Sequence, residues 1–250
     1  MNGDQCRTRR TRRSTQAALV IVITLAQGTT FGADPRPWPP FLPPAERFGP
    51  GVVAAVEHVW RAPTLTRTAT ADTVNVPRAT YLAFVDAPDL TAALARYLKL
   101  AEYEVEVIGP DWYRADDHRG ASGVYRVLVR DETTRVVVSW GSHRGEVLGT
   151  IRGEALSVMT FETREEGTAP KLTAYVLIEN LIAAQIARVL APVFGVLMDR
   201  KLTEGFRVTA KVAEWVLEDH ARFCEWLATS PLPADRRAEL PSGIPSCTGA

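Results

Sequence analysis

The sequence predicts an α+β domain in which a curved antiparallel sheet wraps a long C-terminal helix. Three observations point there. A 3.6-residue apolar period runs along "DRKLTEGFRVTAKVAEWVLEDHARFCEWLA", residues 199–228. From Tyr103 to Glu179 the dominant period is two, as in half-buried strands. Between the β-branched stretch "TLTRTATADTVNV" and that run lie two short segments of helical character. Five or six antiparallel strands in succession need cover for their apolar face, and the last helix is the one element long enough. About 25 residues at 1.5 Å each span roughly 38 Å, enough to cross a curved sheet.

The front of the chain concerns location. "RTRRTRR" is basic, "AALVIVITLA" is apolar, and "GTTFGA" ends in small residues. That order predicts a signal peptide over residues 1–33 and a periplasmic or secreted protein. Ten apolar residues span roughly 15 Å, about half a bilayer core, too short for a stable anchor. The whole chain holds 29 basic and 29 acidic residues; losing five arginines and one aspartate leaves 24 against 28, a net charge of −4. No segment after residue 33 concentrates Lys and Arg, which argues against nucleic acid as a partner. Cys224 and Cys247 remain. An oxidising compartment permits a bridge between them, while the apolar side of the helix suits Cys224 as a buried thiol. No Cys or His spacing follows a zinc pattern, so neither metal nor cofactor is expected.

Residues 34–48, with "DPRPWPPFLPP", read as an extended Pro-rich linker. Residues 49–228 form one domain of ordinary size, and residues 229–250 a flexible tail. The domain opens with a helix over Pro50–Trp60, then a strand within 64–76. Helices follow around 78–86 and 89–100, the second N-capped by Asp89. "YEVEVI", "VYRVLVR" and "RVVVSW" read as strands, the last two joined by a turn at "DETT". A long strand over 147–163 and another at "KLTAYVLIE" complete the set. "LIAAQIARVLAPVFGVLM", residues 181–198, is apolar nearly all round. Pro192 and Gly195 should interrupt it, and a membrane span there would be marginal in length and would bury Arg188. A short helix and kink at a chamber mouth, able to touch a membrane surface transiently, fits better. Trp215 and Trp226 share one edge of the final helix, suited to packing under the Pro-rich arm or to docking a partner.

This order, with the closing phrase "KLTAYVLIENLIAAQIARVLAPVFGVLMDRKLTEGFRVTAKVAEW", resembles the helix-grip superfamily of START and Bet v 1-like (SRPBCC) proteins. The resemblance runs over roughly Thr64–Leu227. The helix before Thr64 and the hydrophobic segment after Asn180 are elaborations. What the resemblance implies is a deep cavity between the concave sheet and the long helix, holding a lipid, a sterol-like molecule or another hydrophobic ligand. Three functions follow: a lipid-transport protein, an enzyme of the cyclase or dehydratase type, or an adaptor with a filled core.

The strand residues Tyr125, Trp140, Met159, Phe161 and Tyr175 are expected ligand contacts, with plain core as the other reading. On the helix, Phe206, Ala210, Ala213, Leu217 and His220 form the facing wall; the alanines either make room for a guest or let the sheet approach. His220 either meets a ligand head group or moves a proton, or is a core histidine bonded to a carbonyl. Arg152 and Glu154 share a strand face, as a solvated ion pair or as a polar anchor for a ligand carboxylate or hydroxyl.

Overall fold

The computed structural model describes residues 36–145, 149–190, 195–238 and 240–247. The expected signal peptide and the Pro192 kink lie outside them. Helix α1 (Pro50–Arg61) precedes strand β1 (Leu65–Thr70), and helices α2 (Arg78–Asp86) and α3 (Pro88–Tyr97) follow. Six strands come next: β2 (Glu104–Gly109), β3 (Trp112–Asp116), β4 (Ala121–Arg130), β5 (Thr134–Gly145), β6 (Gly149–Arg164) and β7 (Gly167–Ile178). Helices α4 (Leu181–Leu190), α5 (Gly195–Glu218), α6 (His220–Thr229) and α7 (Ala234–Ala238) close the chain. All strand pairings are antiparallel, in the order β1-β7-β6-β5-β4-β3-β2. Two short helices after the first strand, a meandering curved sheet and a long late helix make this the helix-grip fold.

Several expectations need correction. Strand β3 escapes the period-two reading because Arg114 and Asp116 break its apolar run; a turn in which Asp111 takes a φ of 62° folds it onto β2. Asp89 is not the cap of α3 but lies in its first turn, where Arg236 of α7 grips both carboxylate oxygens at 2.7 and 2.9 Å. The continuous helix over 199–228 is two helices. Asp219 leaves helical geometry (φ −128°, ψ 59°), and its carboxylate accepts from the Arg222 amide, capping α6. Among the described residues, no helix is long and apolar enough to cross a membrane.

Both faces of the sheet are covered, by different elements. On the convex face, Val136, Val138 and Leu156 are sealed beneath Val52, Ala55, Val56 and Val59 of α1. Trp38, Phe41 and Leu42 pack on the same cluster, so the Pro-rich segment is a docked arm rather than a linker. On the concave side, α5 lies against β1, β7, α2 and α3. The buried Tyr81 hydroxyl donates to the Phe206 carbonyl at 3.0 Å, and Arg67 forks onto Asp199 at 2.7 and 2.8 Å. The C-terminal segment is no loose tail. Ile244 is buried, Cys247 is bonded to Cys224, and Gly243 seats on α2 where a Cβ would stand 2.3 Å from the Ala79 carbonyl.

Candidate ligand chamber

Strand alternation assigns each side chain to a face, and cross-strand register carries that assignment across the sheet. Tyr113, Tyr125, Ser139, Ala155 and Val176 are successive partners from β3 to β7 and share the concave face. The next row inward holds Val127, Val137 and Ser157. Apart from the buried Tyr113, these concave positions are only half-buried, whereas Val136, Val138 and Leu156 between them are sealed. Where α2, α3 and α5 stand over Tyr125, Val127, Val137, Ser139 and Ser157, that open surface is a chamber.

The chamber has two adjoining lobes. The inner lobe, about 430 Å³, lies between α2, α3 and α5 and the sheet; its walls include Phe84, Tyr125, Val137, Met159, Leu202 and Phe206. The outer lobe, about 510 Å³, opens over the far end of β3–β7 and shares Tyr103, Tyr125 and Ser139 with the first. Both volumes fall in the range of small-molecule sites. The outer floor is bare backbone, because Gly123, Gly141 and Gly153 are cross-strand partners in one row. Two of them are demanded by curvature: a Cβ on Gly123 would lie 2.4 Å from the Trp140 carbonyl, and one on Gly153 2.6 Å from the Leu177 carbonyl.

The polar groups of the chamber fall into two sets. At the inner end, Arg135 forks onto Asp86 at 2.6 and 2.7 Å and is itself buried. Arg130 bonds Asp86, Asp111 and the Tyr113 hydroxyl. That network spends its donors internally. The second set is unspent: within the described residues, nothing hydrogen-bonds the side-chain hydroxyls of Tyr103, Tyr125, Ser139 or Ser157, all of which line the chamber. Burial pushes the phenols of Tyr103, Tyr113 and Tyr125 up, so each stays protonated and able to donate. Tyr125 is held in place by a stack on Tyr113, with centroids 5.1 Å apart.

The expected site residues divide accordingly. Tyr125, Met159 and Phe206 line the inner lobe. Phe161 is fully buried between Tyr81 and Phe206, and Ala210 and Ala213 are core beside α2 and α3. Leu217 is 40% exposed, because it lies on the solvent side of α5. Trp140 and Tyr175 have the opposite parity to Ser139 and Ala174 and belong to the convex face. There Trp140 stacks on Trp112 at 5.5 Å, and Tyr175 meets Trp60 at 5.0 Å. Arg152 and Glu154 share that parity, and Glu154 meets His58 of α1 at 3.0 Å, although both, like Trp140, border the outer lobe. His220 lies outside both lobes, its Nε2 3.5 Å from Cys224 Sγ, and cannot serve as proton-transfer group inside them. Trp215 and Trp226 pack on Tyr97 of α3, not under the Pro-rich arm. Sequence reasoning passes over Ser139 and Ser157, whose signal is positional: small hydroxyls on the strand face opposite to large apolar residues.

No protein-family model matches the sequence, and no curated protein matches it. Solved structures similar to it include a conserved protein from Geobacillus kaustophilus, 17% identical over 60% of this chain and 97% of that one, with a TM-score of 0.44. Ara h 8.0201 is 15% identical over 62% of this chain and 99% of its own, with a TM-score of 0.40. The di-domain ARO/CYC BexL from the BE-7585A biosynthetic pathway is 19% identical over 65% of this chain and 54% of its own, with a TM-score of 0.38. The helix-grip assignment itself rests on strand order, helix placement and the single curved sheet described above.

Proposed function

We propose that this protein binds an apolar small molecule bearing one or a few hydroxyl or carbonyl groups, a lipid or sterol-like compound, and carries or presents it outside the cytoplasm. The observation that carries this reading is a chamber with apolar walls whose exposed hydroxyls, on Tyr103, Tyr125, Ser139 and Ser157, lack protein partners among the described residues. Apolar walls reward an apolar guest at about 25 cal/mol per Å² removed from water, less the costs of association. The hydroxyls reward matching polar atoms on that guest and penalise a pure hydrocarbon, which would strand them. Export is supported by the basic-apolar-small order of residues 1–33. It is also supported by the Cys224–Cys247 disulfide, a bond that oxidising compartments sustain. Leu181 and Ile182, at the start of α4, are 82% and 69% exposed, and they suit brief contact with the membrane that supplies the ligand.

Organic extraction of the purified protein followed by mass spectrometry tests the proposal. The expected result is a reproducible apolar compound carrying oxygen, near one equivalent, and its loss from a Ser157→Phe variant. An extract without such a compound, joined to no uptake of fluorescent fatty-acid or sterol probes, would remove the ligand-binding reading.

A further inference from the structure

His220, Cys224 and Cys247 converge at the corner where α6 meets the C-terminal strap, and their ligand-capable atoms all lie within 4.8 Å of one another. We infer that this corner is a redox-gated metal site: closed as a disulfide, and, once reduced, able to bind a thiolate-preferring divalent cation of the zinc class. His220 and Cys224 are four residues apart on α6, so their side chains share one face. Cys247 is delivered by the strap, itself fixed through Arg236 on Asp89, Gly243 on α2 and buried Ile244. The corner contributes to neither lobe of the chamber, so this inference stands apart from the proposed ligand.

The spacing is already that of a metal site on one side. A tetrahedral zinc ion with bonds of about 2.3 Å to sulfur and 2.0–2.1 Å to nitrogen holds those two atoms roughly 3.5 Å apart. His220 Nε2 and Cys224 Sγ stand 3.5 Å apart. Two sulfurs on the same ion sit roughly 3.8 Å apart, so the bonded pair must separate. Cys247 lies in irregular backbone beyond Ile244, so that movement breaks no helix or strand.

The chemistry balances with a named reductant. A trialkylphosphine in the tube, or the dithiol of a reducing protein in the compartment the chain occupies, supplies two electrons to the sulfur–sulfur bond, and each sulfur takes up one proton. The phosphine becomes its oxide with oxygen from water; the dithiol becomes a disulfide and supplies both protons. Cation binding then expels the two thiol protons, leaving two thiolates and a neutral imidazole on the metal. Three protein ligands leave one position for water or an outside donor.

Cobalt(II) is the probe, because its thiolate complexes are coloured. Untagged protein, reduced anaerobically by phosphine and freed of it, should take up one equivalent of cobalt. A sulfur-to-metal charge-transfer band should appear and then vanish when zinc is added. The oxidised protein should show no such band. His220→Ala should weaken uptake at least about tenfold, since even indirect supports of metal ligands are worth that much, whereas His58→Ala should leave it unchanged. The inference is overturned by no stoichiometric uptake in the reduced protein, by equal uptake in the oxidised one, or by undiminished uptake in His220→Ala. A reduced protein that loses its far-ultraviolet helix signal and does not regain it with zinc overturns it too.

Discussion

The two faces of the sheet are built from the same strands yet filled in opposite ways. Along β5, the convex positions are Val136, Val138 and Trp140, while the concave positions between and beyond them are Val137, Ser139 and Gly141. Along β6, Leu156 and Val158 face outward, and Gly153, Ala155 and Ser157 face inward. Over these stretches bulk therefore goes to the side that α1 and the Pro-rich arm cover, and small residues to the concave side. Farther along β6, Met159 and Phe161 fill the concave side against α2 and α5. The convex layer holds the sheet together by close packing. The concave layer, spared much of that duty at its centre, is left with open volume and unspent hydroxyls. Close packing and the proposed binding surface thus lie on opposite faces at the centre of the sheet, and substitutions can be aimed at either.

The largest expected effect is on the filled face. Leu156→Ala removes a sealed side chain from beneath α1 and should cost about 4 kcal/mol in denaturant unfolding. Ser157→Ala, its neighbour on the open face, should stay within about 0.5 kcal/mol. Equal losses at the two positions would dissolve the contrast. The second effect marks where the concave face is structural after all. Arg135→Ala leaves the Asp86 carboxylate with only Arg130 and should cost about 3 kcal/mol, read by the same unfolding curves.

How much of this is legible in the sequence depends on which face is asked about. Strand periodicity and the final amphipathic stretch suffice for the antiparallel sheet and its covering helix, and for the inward position of Tyr125, Met159 and Phe206 on the chamber wall. They do not reveal that α1 and the arm form a second layer. Without that layer, the bulk at Trp140 and Tyr175 invites assignment to the inside. "LTAYVLI" is apolar on both sides, so only the pairing of Tyr175 with Leu156 separates its faces. The break at Asp219 hides in a helical period because one capping residue interrupts the backbone without shifting the pattern by much. The meeting of Cys247 with His220 and Cys224 is tertiary: it depends on the strap running back over α2, which no local spacing encodes.

The third expected effect sharpens the contrast from the binding side. Ser157→Phe adds bulk to a vacant region, so it should lower probe affinity at least about tenfold while changing stability by less than about 1 kcal/mol. Leu156→Trp adds bulk to the packed face and should cost about 1–3 kcal/mol with little effect on binding. The smallest effect concerns the β4–β5 turn. Slight burial would raise the Asp131 carboxyl, but the amides of Thr133 and Thr134, at 2.8 and 2.6 Å, outweigh it and hold the group below the usual carboxylate range. A lowered folded value gives stability that is present above the unfolded value, about 3.9, and is lost as pH falls through the folded one. Asp131→Asn should therefore be the less stable chain near neutrality, the gap closing below about pH 4 in urea unfolding followed against pH. A gap that stays constant with pH would remove the carboxylate from the account.

The most direct test of the central claim is saturation binding of a fluorescent fatty acid and a fluorescent sterol to the wild-type protein, Ser157→Phe and Leu156→Ala. Leu156→Ala is assayed under conditions where it remains folded. The account predicts one saturable site for at least one probe in the wild type, lost in Ser157→Phe and retained in Leu156→Ala. No saturable site for either probe, or a site that survives Ser157→Phe unchanged, would contradict it.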